Sequence, residues 1–339
     1  MALNASWYIT QLRQELGLRN QWHARGRAYV ESYGSSPVIV YAPENCRHGN
    51  FFDPAYTAIT ERPEWMRRFG KIHAQASRSL PRPTLEPDRR WRELDSSMSS
   101  DALLMNVFCT PGVADSGMVR NTLGNEGNAV PAFGWKAHVP LATGRSDRTE
   151  VDMRLGDLLV EAKLTENDFQ ICKAEIVEAY RDFEVVFDRQ LLPRIQLSPK
   201  RRKAPSEFPE AYSQEFESLI DTSAPTASIA FTGADSESNL ETESGYASYQ
   251  LIRNVLAAYA EGCCFCVLHD ERRPDLREAW FKVIAAVKSS EMRVRLKVLT
   301  WQELAVVLPA ELQEFLDLKY GIVPPGRTAS PLAEVSDCS

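Results

Sequence analysis

The stretch TEVDMRLGDLLVEAKL, residues 149–164, constrains the fold of this chain more than any other. Two alternating runs flank Gly156-Asp157, a dipeptide that favours a two-residue hairpin turn. Counting outward from that turn places Leu155 opposite Leu158, Arg154 opposite Leu159, Met153 opposite Val160, Asp152 opposite Glu161 and Glu150 opposite Lys163. Strand alternation then gives Val151, Met153, Leu155, Leu158, Val160, Ala162 and Leu164 one apolar face, and Glu150, Asp152, Glu161 and Lys163 the other.

Opposed carboxylates stand roughly 5 Å apart at Cβ and repel one another. A proton or a cation between them relieves the repulsion. Mg²⁺ takes oxygen ligands and keeps other positions for water and phosphate, so Asp152 with Glu161 suits it. Lys163, two residues after Glu161, comes up on the same face, where it can polarise an attacking water or stabilise charge on phosphorus. The plainer alternative is a solvent-facing hairpin with a salt bridge. With 46 acidic residues and ten lysines, acid-x-Lys also arises by chance. Asp317-Leu318-Lys319 is such a case, in a helical pattern where i and i+2 diverge. Register is the exposed point, because a slip turns a strand over and a bulge separates opposed residues. The firm expectation is convergence of Asp152 and Glu161 with the Lys163 amine on their side, and Val151, Met153, Val160 and Ala162 buried on the other. Glu161 and Lys163 buried against a helix, or Asp152 facing away from them, would refute that chemistry altogether.

Around the hairpin, the spacing predicts helices over 5–18, 99–108 (capped by Ser99 or Ser100), 171–187, 246–260, 276–287 and 301–318. Strands are predicted over 37–41, 133–141, 263–268 and 293–299. Strand–helix alternation in the second half favours an α/β sandwich with a mixed sheet. Residues 198–245 crowd Pro, Ser, Thr and Glu behind Lys200-Arg201-Arg202-Lys203 and read as a flexible insert. Residues 1–95 read as an N-terminal extension, 96–323 as the core and 324–339 as a loose tail.

A net charge of −7 does not announce a nucleic-acid binder, but a local basic groove matters more than the total. The N-terminal region gathers Arg67, Arg68, Arg78, Arg82, Arg89, Arg90 and Arg92, which read as a solvated surface or as phosphate contacts. Arg272, Arg273 and Arg277 invite the same two readings, and His138 a weaker one. Cys263, Cys264 and Cys266 fit buried apolar positions better than cluster ligands. Seven cysteines without even spacing favour a reducing cytoplasm; no signal peptide is read, and Arg253, Asn254 and Glu261 make the most apolar stretch too polar to span a bilayer.

Asp152, then Glu161-Ala162-Lys163 on the next strand, resembles the PD-(D/E)xK, restriction-endonuclease-like nuclease superfamily. SSDALLMNVF (99–108), KLTENDFQIC (163–172), SYQLIRNVLAAY (248–259), CCFCVL, DERRPDL and the TWQELAVVLPAELQEFLDLKYGI ending are similar to a bacterial group within it. The resemblance implies a restriction-endonuclease-like α/β core with a mixed β-sheet flanked by helices. It implies a Mg²⁺-dependent endonuclease hydrolysing DNA by a metal-activated water, with Mn²⁺ able to substitute and roles in restriction, defence or repair. By the same resemblance Asp152, Glu161 and the carbonyl of Ala162 bind the metal, Lys163 supports the nucleophile, Gln250 lies near the metal, and Asp101 is a candidate first-helix acid. DNA is the implied partner, with a homodimer left open. The alternative on the same fold is a catalytically silent DNA-binding or regulatory module.

Overall fold

A computed structural model describes residues 5–32, 38–72, 91–127, 129–197 and 244–331. Five strands form the central sheet: β1 (Ala132–Lys136), β2 (Glu150–Leu155), β3 (Leu158–Ala162), β4 (Cys264–His269) and β5 (Leu296–Thr300). Their spatial order is β5-β4-β3-β2-β1. β1, β2 and β3 pair antiparallel, while β3, β4 and β5 pair parallel, so the sheet is mixed and β3 lies at its centre.

Five helices matter most for the site: α1 (Ala5–His23), α2 (Ser100–Phe108), α3 (Tyr249–Glu261), α4 (Pro274–Ala285) and α5 (Ala310–Tyr320). One core joins Leu159 and Val151 to Leu251, Val255 and Ala258 of α3 and to Trp280 of α4. A second joins Met153, Leu155, Leu158, Val160 and Ala162 to Leu104 and Val107 of α2, Leu12 and Leu16 of α1, and Leu312 and Leu316 of α5. Helices therefore cover both faces of β3, as a strand with parallel pairing requires.

The hairpin register is the expected one through Met153↔Val160. The face assignment needs one correction. Val151 packs with Leu159 under α3 rather than with Met153, and on β1 Trp135 and Phe133 divide in the same way. Gly134 lies between those two β1 residues with φ +63°, a left-handed conformation that breaks the alternation.

Local signals foretold some elements and not others. Ser99 caps α2, its hydroxyl accepting from the Ala102 N–H at 3.1 Å. The expected 133–141 strand stops at Lys136, and Val139–Pro140 pairs separately with Ser146–Asp147. The expected helix over 171–187 is instead a strand Ile171–Lys173 and short helices Ala174–Glu178 and Phe183–Val186. A strand Ser244–Ala247 sits between Ile171–Lys173 and Arg194–Gln196, so order resumes before residue 246 and α3 starts at Tyr249. Ser290–Val294 is a helical turn capped by Ser289, and only then does β5 begin. Pro309 divides the expected 301–318 helix into Trp301–Ala305 and α5. Residues 198–243 of the expected insert lie outside the described residues.

The N-terminal part is stitched to the core rather than appended to it. Asn106 of α2 receives the Phe52 N–H (2.6 Å) and donates to the Asn50 carbonyl (3.0 Å), and Trp65 donates to the Pro131 carbonyl at 2.8 Å. At the other end Ser330 donates to Asp317 through its amide (2.9 Å) and hydroxyl (2.7 Å), so the tail is tied down to that point. Among the described residues, no helix is long and apolar enough to cross a membrane.

Candidate active site

β3 presents Glu161 on the α3 side of the sheet, and Lys163 follows where the chain leaves the strand. The Lys163 N–H donates to the Leu268 carbonyl (2.8 Å) and its carbonyl accepts from the Trp301 indole (3.1 Å), which fixes the backbone beneath its side chain. The Lys163 ammonium is 2.9 Å from Glu161 Oε1 and donates to Gln250 Oε1 at 2.9 Å, over the Phe169 ring. Asn254, one helical turn beyond Gln250 on α3, donates to Glu161 Oε2 at 2.8 Å. The i, i+4 spacing puts both amides on one stripe of the helix.

Glu161 and Lys163 are 3 % and 5 % exposed, buried against α3 and not on an open polar surface. That is one of the two arrangements set above to refute the chemistry; the criterion was drawn too widely, because burial keeps bulk water out without parting the carboxyls from the amine, and Asp152 still faces them. The cause is the central position of β3: Leu159 on the same face needs apolar cover, and α3 supplies it along its length. Where α3 passes Glu161 and Lys163 it presents amides instead of apolar side chains, so every charged atom named here has a partner.

Asp152 faces the same point from β2. Its Oδ2 accepts from the Ala162 N–H at 2.8 Å, and the ladder between β2 and β3 ends at Met153↔Val160, just before it. Burial, then the nearby Glu161 and Asp101 charges, pushes the Asp152 carboxyl well above the usual carboxylate range. Burial works against the charge on Lys163, yet Glu161, Glu166 and Asp152 together raise its pKa above the ordinary lysine value. Asp152 is thus the carboxyl of the site whose charged form is disfavoured.

Asp101, on the first turn of α2, is engaged by cations. Arg68 Nη2 lies 2.8 Å and Lys71 Nζ 3.2 Å from its Oδ2, and they hold its pKa down although burial acts to raise it. Arg68 also binds Glu150 Oε2 at 2.8 Å. It passes over Gly134, where an added Cβ would collide with the Arg68 guanidinium.

Sequence reasoning missed Asn254, Lys71 and the supports behind them. Asn254 Oδ1 accepts from Arg253 Nη1 at 2.6 Å, and Arg253 also binds Asp147 (3.1 Å) and the Thr149 and Glu150 carbonyls at the start of β2. Tyr180 donates to Asp147 at 2.6 Å and lies 2.8 Å from the Tyr249 hydroxyl. Arg253 and Asn254 were visible as polar breaks in an apolar run, and the Gln250-x-x-x-Asn254 spacing would have placed the second amide beside the first.

Several expected phosphate contacts are internal supports. Arg273, fully buried, donates to the Glu166 carbonyl (2.8 Å) and the Asn167 carbonyl (3.2 Å) and pairs with Asp275, which braces the loop after Lys163. Arg272 pairs with Asp270 (2.6 Å) and Glu15 (2.9 Å). Arg277 and His138 are exposed. Cys263 and Cys266 are buried, as expected, while Cys264 is only half-buried. Lys319 lies buried over Tyr41 and Tyr320, away from Asp317's carboxylate. Arg78, Arg82, Arg89 and Arg90 lie outside the described residues.

Among the described residues no group of three or more His, Cys, Asp or Glu side chains is arranged to hold a metal ion. Two buried carboxyls, one of them with its charged form disfavoured, and a neighbouring backbone carbonyl are nonetheless a donor set of the all-oxygen kind that Mg²⁺ accepts, since water and substrate fill its other positions.

The family model described as restriction endonuclease associating with ARP matches residues 19–321. No curated protein and no solved structure matches the chain.

Proposed function

Since the chain belongs to the restriction-endonuclease family described as associating with ARP, we propose that it hydrolyses DNA phosphodiester bonds at Asp152, Glu161 and Lys163. The observation that carries this is the convergence of the Asp152 carboxyl, raised in pKa by burial and then by Glu161, with the Glu161–Lys163 pair at the middle of the sheet. Asp152, Glu161 and the Ala162 carbonyl would hold Mg²⁺, or Mn²⁺ in its place. The bound ion supplies Lewis acidity toward the phosphate and lowers the pKa of water.

The protein's own residues account for the rest. Asn254 and Lys163 fix both oxygens of Glu161, so its carboxylate is oriented before substrate arrives. Lys163 keeps its proton and offers positive charge where negative charge grows on phosphorus. Gln250 Oε1 directs the ammonium. Hydrolysis would break the bond from phosphorus to the 3′ oxygen: water's oxygen joins phosphorus, one of its protons passes to the medium, and the departing 3′ oxygen takes a proton from the medium, leaving a 5′ phosphate and a 3′ hydroxyl. We extend to the chain the association with ARP that the family description names.

Asp152→Asn is the sharpest test, because the amide oxygen still accepts from Ala162 while the charge is gone. Calorimetric titration of Mg²⁺ or Mn²⁺ should show binding to wild type and none to the variant. Without metal the variant should be at least as stable as wild type, since a repulsion has been removed. Plasmid cleavage should require the divalent ion and fail in the variant. Equal metal binding by both proteins would sink the site, and DNA binding without cleavage by wild type would favour the silent module.

A further inference from the structure

We propose that Lys71 is a DNA-phosphate contact beside the reacting centre, and that Asp101 is the residue that positions it. The inference rests on the DNA-hydrolysis reading above and adds a substrate-binding residue from the N-terminal segment.

Among the described residues, Lys163, Arg68 and Lys71 lie within electrostatic reach of Asp152. Lys163 is buried between Glu161 and Gln250. The Arg68 side chain is 8 % exposed and is spent on Asp101 and Glu150. Lys71 differs from both, for its side chain is 40 % exposed while its ammonium stays 3.2 Å from Asp101. Its backbone is fixed on both sides: the Lys71 N–H donates to the Arg68 carbonyl (3.1 Å), and the Lys71 carbonyl accepts from the Glu93 N–H (2.9 Å). A lysine with a fixed backbone, a head aimed by a buried carboxylate and an open side is suited to a phosphate oxygen, which needs a point charge and no particular base.

The opposing charges decide whether an anion is tolerated there. Arg68 shares the Asp101 charge with Lys71 while also pairing with Glu150, so Lys71 keeps part of its charge to act outward. Glu93, the other acid near Lys71, is pushed up to about 7 by burial and then by Asp101, so it offsets the lysine only in part at neutral pH.

A phosphate contact has a signature that a structural role lacks. Removing one lowers the slope of log affinity against log salt by about one while leaving sequence preference alone. The measurement is fluorescence anisotropy of a short duplex with the full chain, with Ca²⁺ replacing Mg²⁺, from about 50 to about 300 mM salt. Lys71→Ala should raise Kd roughly tenfold and lose about one unit of slope. Lys71→Arg should recover both. Lys71→Ala should unfold somewhat below wild type, since Asp101 is left with Arg68 alone, and Lys71→Arg should restore it, so affinities are compared at a temperature where every variant is folded. An unchanged slope in Lys71→Ala, with wild type binding and cleaving normally, overturns the inference alone. A wild-type protein that binds no duplex overturns the DNA reading and the inference with it.

Discussion

Lys163→Ala lowers the single-turnover rate of DNA cleavage by roughly 10²–10³-fold, the loss expected when one preorganised charge is taken from a growing negative centre. DNA affinity should stay within about threefold of wild type, because Lys163 is buried and acts mainly as charge develops. The same substitution leaves Glu161 buried without its cation, which costs about 3–5 kcal/mol in the metal-free protein. Lys163→Met keeps the volume and should show the same rate loss at a smaller packing cost. A saturating divalent ion should return part of the stability of either variant, since it supplies the missing positive charge. Rate, affinity and urea denaturation with and without metal check these points together. A normal rate on bound DNA would remove Lys163 from the chemistry.

The other large effect lies outside the reacting centre. Arg253 is 2 % exposed and binds Asp147, Asn254 and the carbonyls of Thr149 and Glu150. Arg253→Met removes the cation and leaves four acceptors without it, Asp147 among them as a mostly buried carboxylate. Breaking a buried ion pair from one side costs about 3–5 kcal/mol, which urea denaturation resolves easily. Cleavage should fall as well, because Asn254 loses the contact that orients it toward Glu161. A loss below about 1 kcal/mol would show that the network is dispensable.

How much of this could be read from the chain follows the range of the interactions. The hairpin was legible because its turn, alternation and register are local, and they placed Glu161 and Lys163 on one face. The fold class followed from helix and strand periods in the second half. Ile171–Lys173 was read as helix because its apolar spacing allows it. Its strand identity comes from pairing with Ser244–Ala247, far along the chain. The start of α3 was misjudged because Ser248 adopts a left-handed conformation (φ +62°) that nothing in its own type announces. Arg68 was visible only as one arginine among several in a basic stretch. Its carboxylate partners are Asp101 and Glu150, 33 and 82 residues away, and no local pattern connects them. The burial of Glu161 and Lys163 was misread for a related reason: alternation names the face of a strand but not what lies on it.

The bond from the Ala162 amide to Asp152 gives the site a built-in spectroscopic reporter. Most strand amides donate to a neutral carbonyl, whereas this one donates to a side chain that changes charge on protonation and, on the function proposed above, would meet a bound cation. The nitrogen and proton resonances of Ala162 should therefore shift with both events, far more than those of Val160 two residues earlier on the same strand. A single backbone label at residue 162 can then follow the ionisation and occupancy of the carboxylates in the absence of any substrate.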